Sequence, residues 1–126
     1  MPNLEIEFNS PSEENGYLLF PTELENYPNI LFHGTSESCA LLIIQNGFRP
    51  NGTLTSSSFA RTSAVPLGYA CNKRTGVIKG AVLAARLNNL NVSGIRQEGD
   101  VVYLDDHQIQ PEIVAYSFIP FSYNFA

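Results

Sequence analysis

The sequence predicts a single α+β domain built on a mixed or antiparallel sheet. Three observations lead there. The 126 residues match one domain, since domains cluster near ~100–150 residues. Hydrophobic residues make up 44%, with 8 Phe and 6 Tyr, which is enough to fill a core and excludes wholesale disorder or a fibrous repeat. Finally, the patterning reads as a strand, two helices and then a run of strands, without the alternation that β-α-β units impose.

Residues 1–28 form a polar N-terminal segment carrying Pro2, Pro11, Pro21, Pro28 and the acidic pair Glu13-Glu14. Short strands fit at 4–8, where Leu4, Ile6 and Phe8 alternate with acidic residues, and at 17–20. Residues 29–33 read as a buried strand ending at Gly34. A helix follows over 37–46: Thr35 or Ser36 supplies a hydroxyl N-cap, Glu37 sits in the first turn, Ala40, Ile43 and Ile44 recur at helical spacing, and Gly47 is the stop. Phe48 is expected to pack back on that helix.

Asn51-Gly52 signals a turn, and residues 53–59 are hydroxyl-rich and extended. A second helix is expected over 63–72, with Thr62 or Ser63 near its cap. Pro66 is tolerated in the first turn, where its missing N–H would have no helical partner anyway. Residues 77–87 alternate as a buried strand: Ala81, Leu83, Ala85 and Leu87 face one way, Val82 and Ala84 the other. Residues 88–99 read as loop, 101–104 as a short strand, and 113–123 as β-rich chain broken by Pro120.

Twelve acidic and seven basic residues give a formal charge of −5, so the basic footprint of a nucleic-acid binder is missing. No apolar run approaches the ~20 residues of a membrane span. The first residues lack the basic and apolar regions of a signal peptide. Cys39 and Cys71 form no Cys-x-x-Cys, and the pattern favours two separate, reduced, partly buried thiols over a zinc site or disulfide scaffold.

Three features can carry chemistry. His33-Gly34-Thr35 stands where a buried strand gives way to a helix, a place where the sheet fixes a side chain and the loop leaves it accessible. A lone His before Gly is nevertheless more often a hydrogen-bonded structural residue. The hydroxyl run Thr55-Ser56-Ser57-Ser58, followed by Phe59-Ala60 and by Tyr69, can meet ribose or phosphate oxygens. Such runs are usually solvated turns, and Tyr69 would by default be a core aromatic. Asp100, before Val101-Val102-Tyr103, is either an edge charge or a carboxylate placed to steady a developing cation.

In order and spacing these segments resemble the ADP-ribosyltransferase superfamily, in the branch of diphtheria toxin and the poly(ADP-ribose) polymerase catalytic domains. Ile30-Leu31-Phe32-His33-Gly34-Thr35, with Ile43-Ile44-Gln45-Asn46-Gly47-Phe48, is similar to the opening strand, His-Gly-(Thr/Ser) motif and first helix. Ser58-Phe59-Ala60 with Tyr69 is similar to the Tyr-Phe-Ala…Tyr segment and keeps its spacing. Asp100-Val101-Val102-Tyr103, with Gln108, Pro111-Glu112 and Tyr116, is similar to the last motif, and counting back from Gln108 and Pro111 aligns Asp100 with the family's glutamate. The chain departs at two positions, with Ser58 for the first tyrosine and Asp100 for the glutamate. A His-Tyr-Asp combination resembles a toxin-type subgroup.

The resemblance implies two small, facing, mostly antiparallel sheets with a few short helices around an NAD+ cleft. It implies that NAD+ is the substrate and that no metal is required. His33 would bond the adenosine ribose, and the Gly34 backbone would pair with the nicotinamide carboxamide. Thr35 belongs to the same motif. Tyr69 would stack on the nicotinamide, Ser57 or Ser58 would contact the nicotinamide or its ribose, and Asp100 would stabilise the oxocarbenium-like state. Arg61, Lys73 or Arg74 could meet the diphosphate, and Glu98 could share the role of Asp100. The implied activity is mono-ADP-ribosyl transfer to a protein acceptor in an NAD-containing cytosol, in the manner of an effector or toxin domain. The alternatives are NAD+ glycohydrolysis and a catalytically silent module binding an NAD-like ligand or a protein.

Overall fold

The computed structural model describes residues 4–49, 56–75 and 77–123. Their elements run β1 (Leu4–Glu5), a 3-10 turn (Glu13–Asn15), α1 (Thr22–Glu25), β2 (Ile30–Ser36), α2 (Glu37–Asn46), β3 (Ser57–Ala60), α3 (Ala64–Asn72), β4 (Gly80–Arg86), β5 (Ile95–Glu98), β6 (Val101–Leu104) and β7 (Glu112–Ile119). The fold is α+β. One open sheet has the order β1-β7-β4-β2-β3-β6-β5. Its pairings from β7 through to β5 are antiparallel, and only the two-residue β1 runs parallel, beside β7.

The expectation of two facing sheets is corrected: the strands form one continuous sheet. The join between β2 and β3 is a single residue pair, Phe32 with Ala60. β2 is instead held along its whole length by β4, from Ile30–Arg86 to Ser36–Gly80. Seven residues of ladder on one edge and one on the other let β2 and β3 part.

The alternation of β4 translates directly into packing, because successive side chains leave opposite faces of a strand. Val82 and Ala84 join Leu19, Phe20, Ile30, Phe32, Leu67, Ala115 and Ile119 in one apolar cluster. Ala81, Leu83 and Ala85 join Leu31, Ala40, Phe48, Phe59, Val102 and Leu104 in the other. β4 is therefore covered on both faces. The helix α3 contributes to the first cluster and α2 to the second.

α2 occupies the predicted residues. The Ser36 side chain caps it, accepting from the Cys39 N–H at 3.2 Å, and Gly47 ends it with φ 83°. β2 runs through Gly34 to Ser36, longer than expected. Glycine is needed at Gly34 because a Cβ there would strike the Pro66 carbonyl of α3, and one at Gly80 would strike the Ala70 carbonyl. Two adjacent strands thus clear a path for the backbone of one helix.

Three elements escaped the sequence reading: the 3-10 turn at Glu13–Asn15, α1 and β5. α1 has four residues and no amphipathic period. β5 lies inside the expected 88–99 loop, because Ile95-Arg96-Gln97-Glu98 is a polar edge strand with nothing to bury on its outer side. The strand expected at 17–20 is absent: Leu19 and Phe20 are buried, but the Leu19 N–H donates to Ser63 Oγ at 2.7 Å instead of to a strand. The Asn51-Gly52 turn and the start of the extended segment at 53–55 lie outside the described residues. Cys39 and Cys71 are free thiols, and Cys39 is exposed where partial burial was expected. Among the described residues no helix is long and apolar enough to cross a membrane.

Candidate functional site

A cleft of about 910 Å³ opens where β2 and β3 part. Its walls include Phe32 to Ser36 of β2 and Ser56 to Ala60 at β3, the two stretches that would face each other had the ladder continued. α2 and the chain after it close one side with Ile43 and Phe48. α3 closes the other with Val65, Pro66, Tyr69 and Lys73. Among the described residues, Phe32 with Ala60 is the one pair between β2 and β3.

His33 bridges the gap. Its Nδ1 lies 2.7 Å from the Ser58 carbonyl oxygen. A carbonyl only accepts, so Nδ1 carries the proton and Nε2 of the neutral ring is left as an acceptor. The ring packs edge-on to Phe48 and tilted against Phe59, with centroids at 5.3 and 5.5 Å. Burial holds the imidazole below its ordinary pKa, and the Ser58 hydrogen bond opposes this more weakly. His33 is therefore a neutral hydrogen-bonding group at physiological pH.

Tyr69 is not the core aromatic its helix position suggested. The residue is 51% exposed on the cleft wall, and Lys73 Nζ, one helical turn on, lies over its ring, 4.9 Å from the centroid. Val65, one turn earlier, is 72% exposed on the same wall.

His33, Gly34, Thr35, Ser57, Ser58 and Tyr69 all line this cleft. Asp100 does not. It is the second central residue of the two-residue β5–β6 hairpin turn, after Gly99 at φ 62°, and is exposed. Its neighbour Val101 is the part of that hairpin that reaches the lining. Asp100 makes no hydrogen bond or ion pair to the other described residues. Glu98, expected to share the role of Asp100, stands across the hairpin on β5, opposite Val101, and is ion-paired with Arg96.

The three cations expected at a diphosphate divide. Arg61 donates to Gln97 at 2.7 Å. Arg74 clamps the carbonyls of Cys71, Phe121 and Tyr123 and so ties α3 to the chain after β7. Only Lys73 lines the cleft, where Arg49, unremarked in the sequence, joins it. Arg49 follows the packed Phe48, the signal that could have found it. No Asp or Glu is among the described lining residues, although the chain as a whole carries −5.

The hydroxyl run is partly committed to internal bonds. Ser56 Oγ bonds Asp105 Oδ1, and Ser57 Oγ lies 2.9 Å from His107 Nε2. Arg96, followed by Ser56, holds the Asp105 carboxyl below the usual carboxylate range. The Ser58 side chain is exposed. Glu25, which no sequence signal marks out, is only 6% exposed. Its carboxylate accepts from the N–H groups of Phe20 and Ser63, at 3.0 and 3.1 Å, and from the Ser63 hydroxyl.

No protein-family model, curated protein or solved structure matches the chain.

Proposed function

We propose that the cleft binds NAD+ and that the protein transfers its ADP-ribose to a macromolecular acceptor. One observation carries the reading: His33 with Gly34, Ser58 and Tyr69, drawn from three segments, meet on one cleft whose charged lining is Lys73 and Arg49. That composition suits a diphosphate flanked by two flat rings. The neutral His33 offers Nε2 to a ribose hydroxyl. Gly34, which lines the cleft without a side chain, lets a carboxamide approach the backbone closely. Tyr69, half exposed on the cleft wall, offers its ring to the nicotinamide, a contact of ~1 kcal/mol or somewhat more. The resemblance in sequence order to the ADP-ribosyltransferases supports the same assignment.

In this reading Asp100 supplies the negative charge that steadies the oxocarbenium-like state, from the hairpin tip beside Val101. Protein acceptor, water and silence separate in one experiment. Purified chain is incubated with NAD+, with and without cell lysate; nicotinamide release and NAD+ binding are both measured. Lysate-dependent release is expected. Release in buffer alone that continues over many turnovers per chain would make it a glycohydrolase. Asp100→Asn should lower release by roughly 100-fold or more while leaving NAD+ affinity nearly unchanged, because the interaction belongs to the transition state.

A second reading is favoured by one observation, the position of Asp100 outside the cleft lining. In it the chain binds an NAD-like ligand and catalyses nothing. NAD+ binding without nicotinamide release selects that reading, and absence of binding sinks both.

A further inference from the structure

Ser57 and His107 are an unassigned pair. Ser57 lines the cleft, and His107 stands behind it, with Nε2 2.9 Å from the hydroxyl. This is the spacing of a nucleophile and its base. The loop that carries His107 is held on both sides. Asp105 is bonded by Arg96 at 3.1 and 3.2 Å and by Ser56. The Gln110 amide donates to the His107 carbonyl at 2.6 Å while also clamping Phe48 N–H and carbonyl at 2.8 Å. Both members of the pair are thereby fixed relative to the cleft, Ser57 by the β3–β6 ladder and His107 by these clamps.

We infer that Ser57 is a nucleophile activated by His107, and that it is the chain's own acceptor of ADP-ribose. The inference rests on the NAD+ reading above and names the acceptor within it. In the step, the bond between the ribose anomeric carbon and the nicotinamide nitrogen breaks, and its electron pair leaves with neutral nicotinamide. A Ser57 Oγ lone pair forms the new bond to that carbon. The hydroxyl proton moves to His107 Nε2 and passes from there to water. Nε2 accepts it in the tautomer that bears hydrogen on Nδ1. A covalent ADP-ribose at Ser57 would fill the cleft, so the modification also limits further turnover.

The test uses the full chain with NAD+ alone, following nicotinamide release in parallel with peptide mass spectrometry. The expected result is one ADP-ribose per chain, located on Ser57. In His107→Gln, which can hydrogen-bond but not serve as the base, the fraction of released nicotinamide that appears as label on Ser57 should fall by about 100-fold. Should that variant fail to melt cooperatively, His107→Asn is scored the same way. Nicotinamide released with no label on Ser57 overturns the inference and leaves the transferase or glycohydrolase reading standing. Label on Ser57 undiminished in the His107 variants overturns the base role. NAD+ bound without any release overturns the transferase reading and this inference with it.

Discussion

At the scale of single residues, the site depends on side chains whose surroundings settle their state. His33 is neutral because it is packed between Phe48 and Phe59 and has given its Nδ1 hydrogen to Ser58. A base held below its ordinary pKa of about 6.5 takes up a proton more readily unfolded than folded. The stability it contributes is complete above that value and is lost as pH falls through the lowered folded one. Urea midpoints should therefore drop between pH 6.5 and about 5, above the range where exposed carboxylates titrate, and the drop should shrink in His33→Gln. A flat profile in the wild type would show that folding does not alter the His33 titration. Tyr69 makes the complementary case of a residue left half exposed. If it stacks on nicotinamide, Tyr69→Phe keeps the ring face and should bind NAD+ nearly as well, whereas Tyr69→Ala should bind about fivefold or more weakly. Equal damage from both, with both folded, rules stacking out.

At the scale of elements, the placement of α3 decides where Tyr69 and Lys73 sit. The helix lies close on β2 and β4 because Gly34 and Gly80 carry no Cβ. In Gly80→Ala the new methyl group meets the Ala70 carbonyl, which belongs to helix backbone and cannot swing aside. The strain should cost about 1–3 kcal/mol, outweighing the chain-entropy gain of roughly 0.4–1 kcal/mol expected for Gly→Ala at an unstrained site. Chemical denaturation measures the difference, and a variant as stable as the wild type would show that α3 has freedom to shift. The β5–β6 hairpin is the opposite kind of element. Its tip presents Asp100 to solvent, and Arg96, paired with Glu98 and Asp105 and lying 4.3 Å over the Tyr103 ring, stiffens its base.

At the scale of the whole molecule, the N-terminal segment is fastened to the site through a buried acid. Glu25 reaches across to the start of α3, where it accepts from Ser63 N–H and hydroxyl, while the Ser63 hydroxyl accepts from Leu19. The carboxylate lies at a helix N-terminus, where negative charge is favoured. Glu25→Gln keeps the shape but substitutes an amide, whose N–H groups then face N–H donors. Hydrogen bonds to charged groups are worth about 1.5–3 kcal/mol, and the variant should lose that much stability. It should also exchange the backbone amides of α3 faster in native-state hydrogen exchange. Unchanged exchange in α3 would confine Glu25 to a local role.

Much of this molecule is legible in one dimension. α2 was legible because its signals are local: a hydroxyl cap at Thr35 or Ser36, of which the structure uses Ser36, Gly47 for the stop, and apolar residues at helical spacing between them. β4 was legible because burial on both faces leaves an uninterrupted apolar run. His33, Gly34, Ser58 and Tyr69 could be singled out by order and spacing, and they do share a cleft. What the sequence could not show depends on contacts between distant segments. β5 has no apolar period and exists as a strand only because β6 pairs with it. Glu25 reads as a surface acid until Ser63, 38 positions on, buries it. Asp100 reads as the start of a strand, but the pairing of Glu98 with Val101 makes it a turn residue. His107 became chemically interesting only when the β3–β6 ladder and the Gln110 clamp brought it to Ser57, 50 residues away. Local free energies write caps and strand periods into the chain. The neighbours of a polar side chain are set by tertiary packing, and no window of sequence contains them.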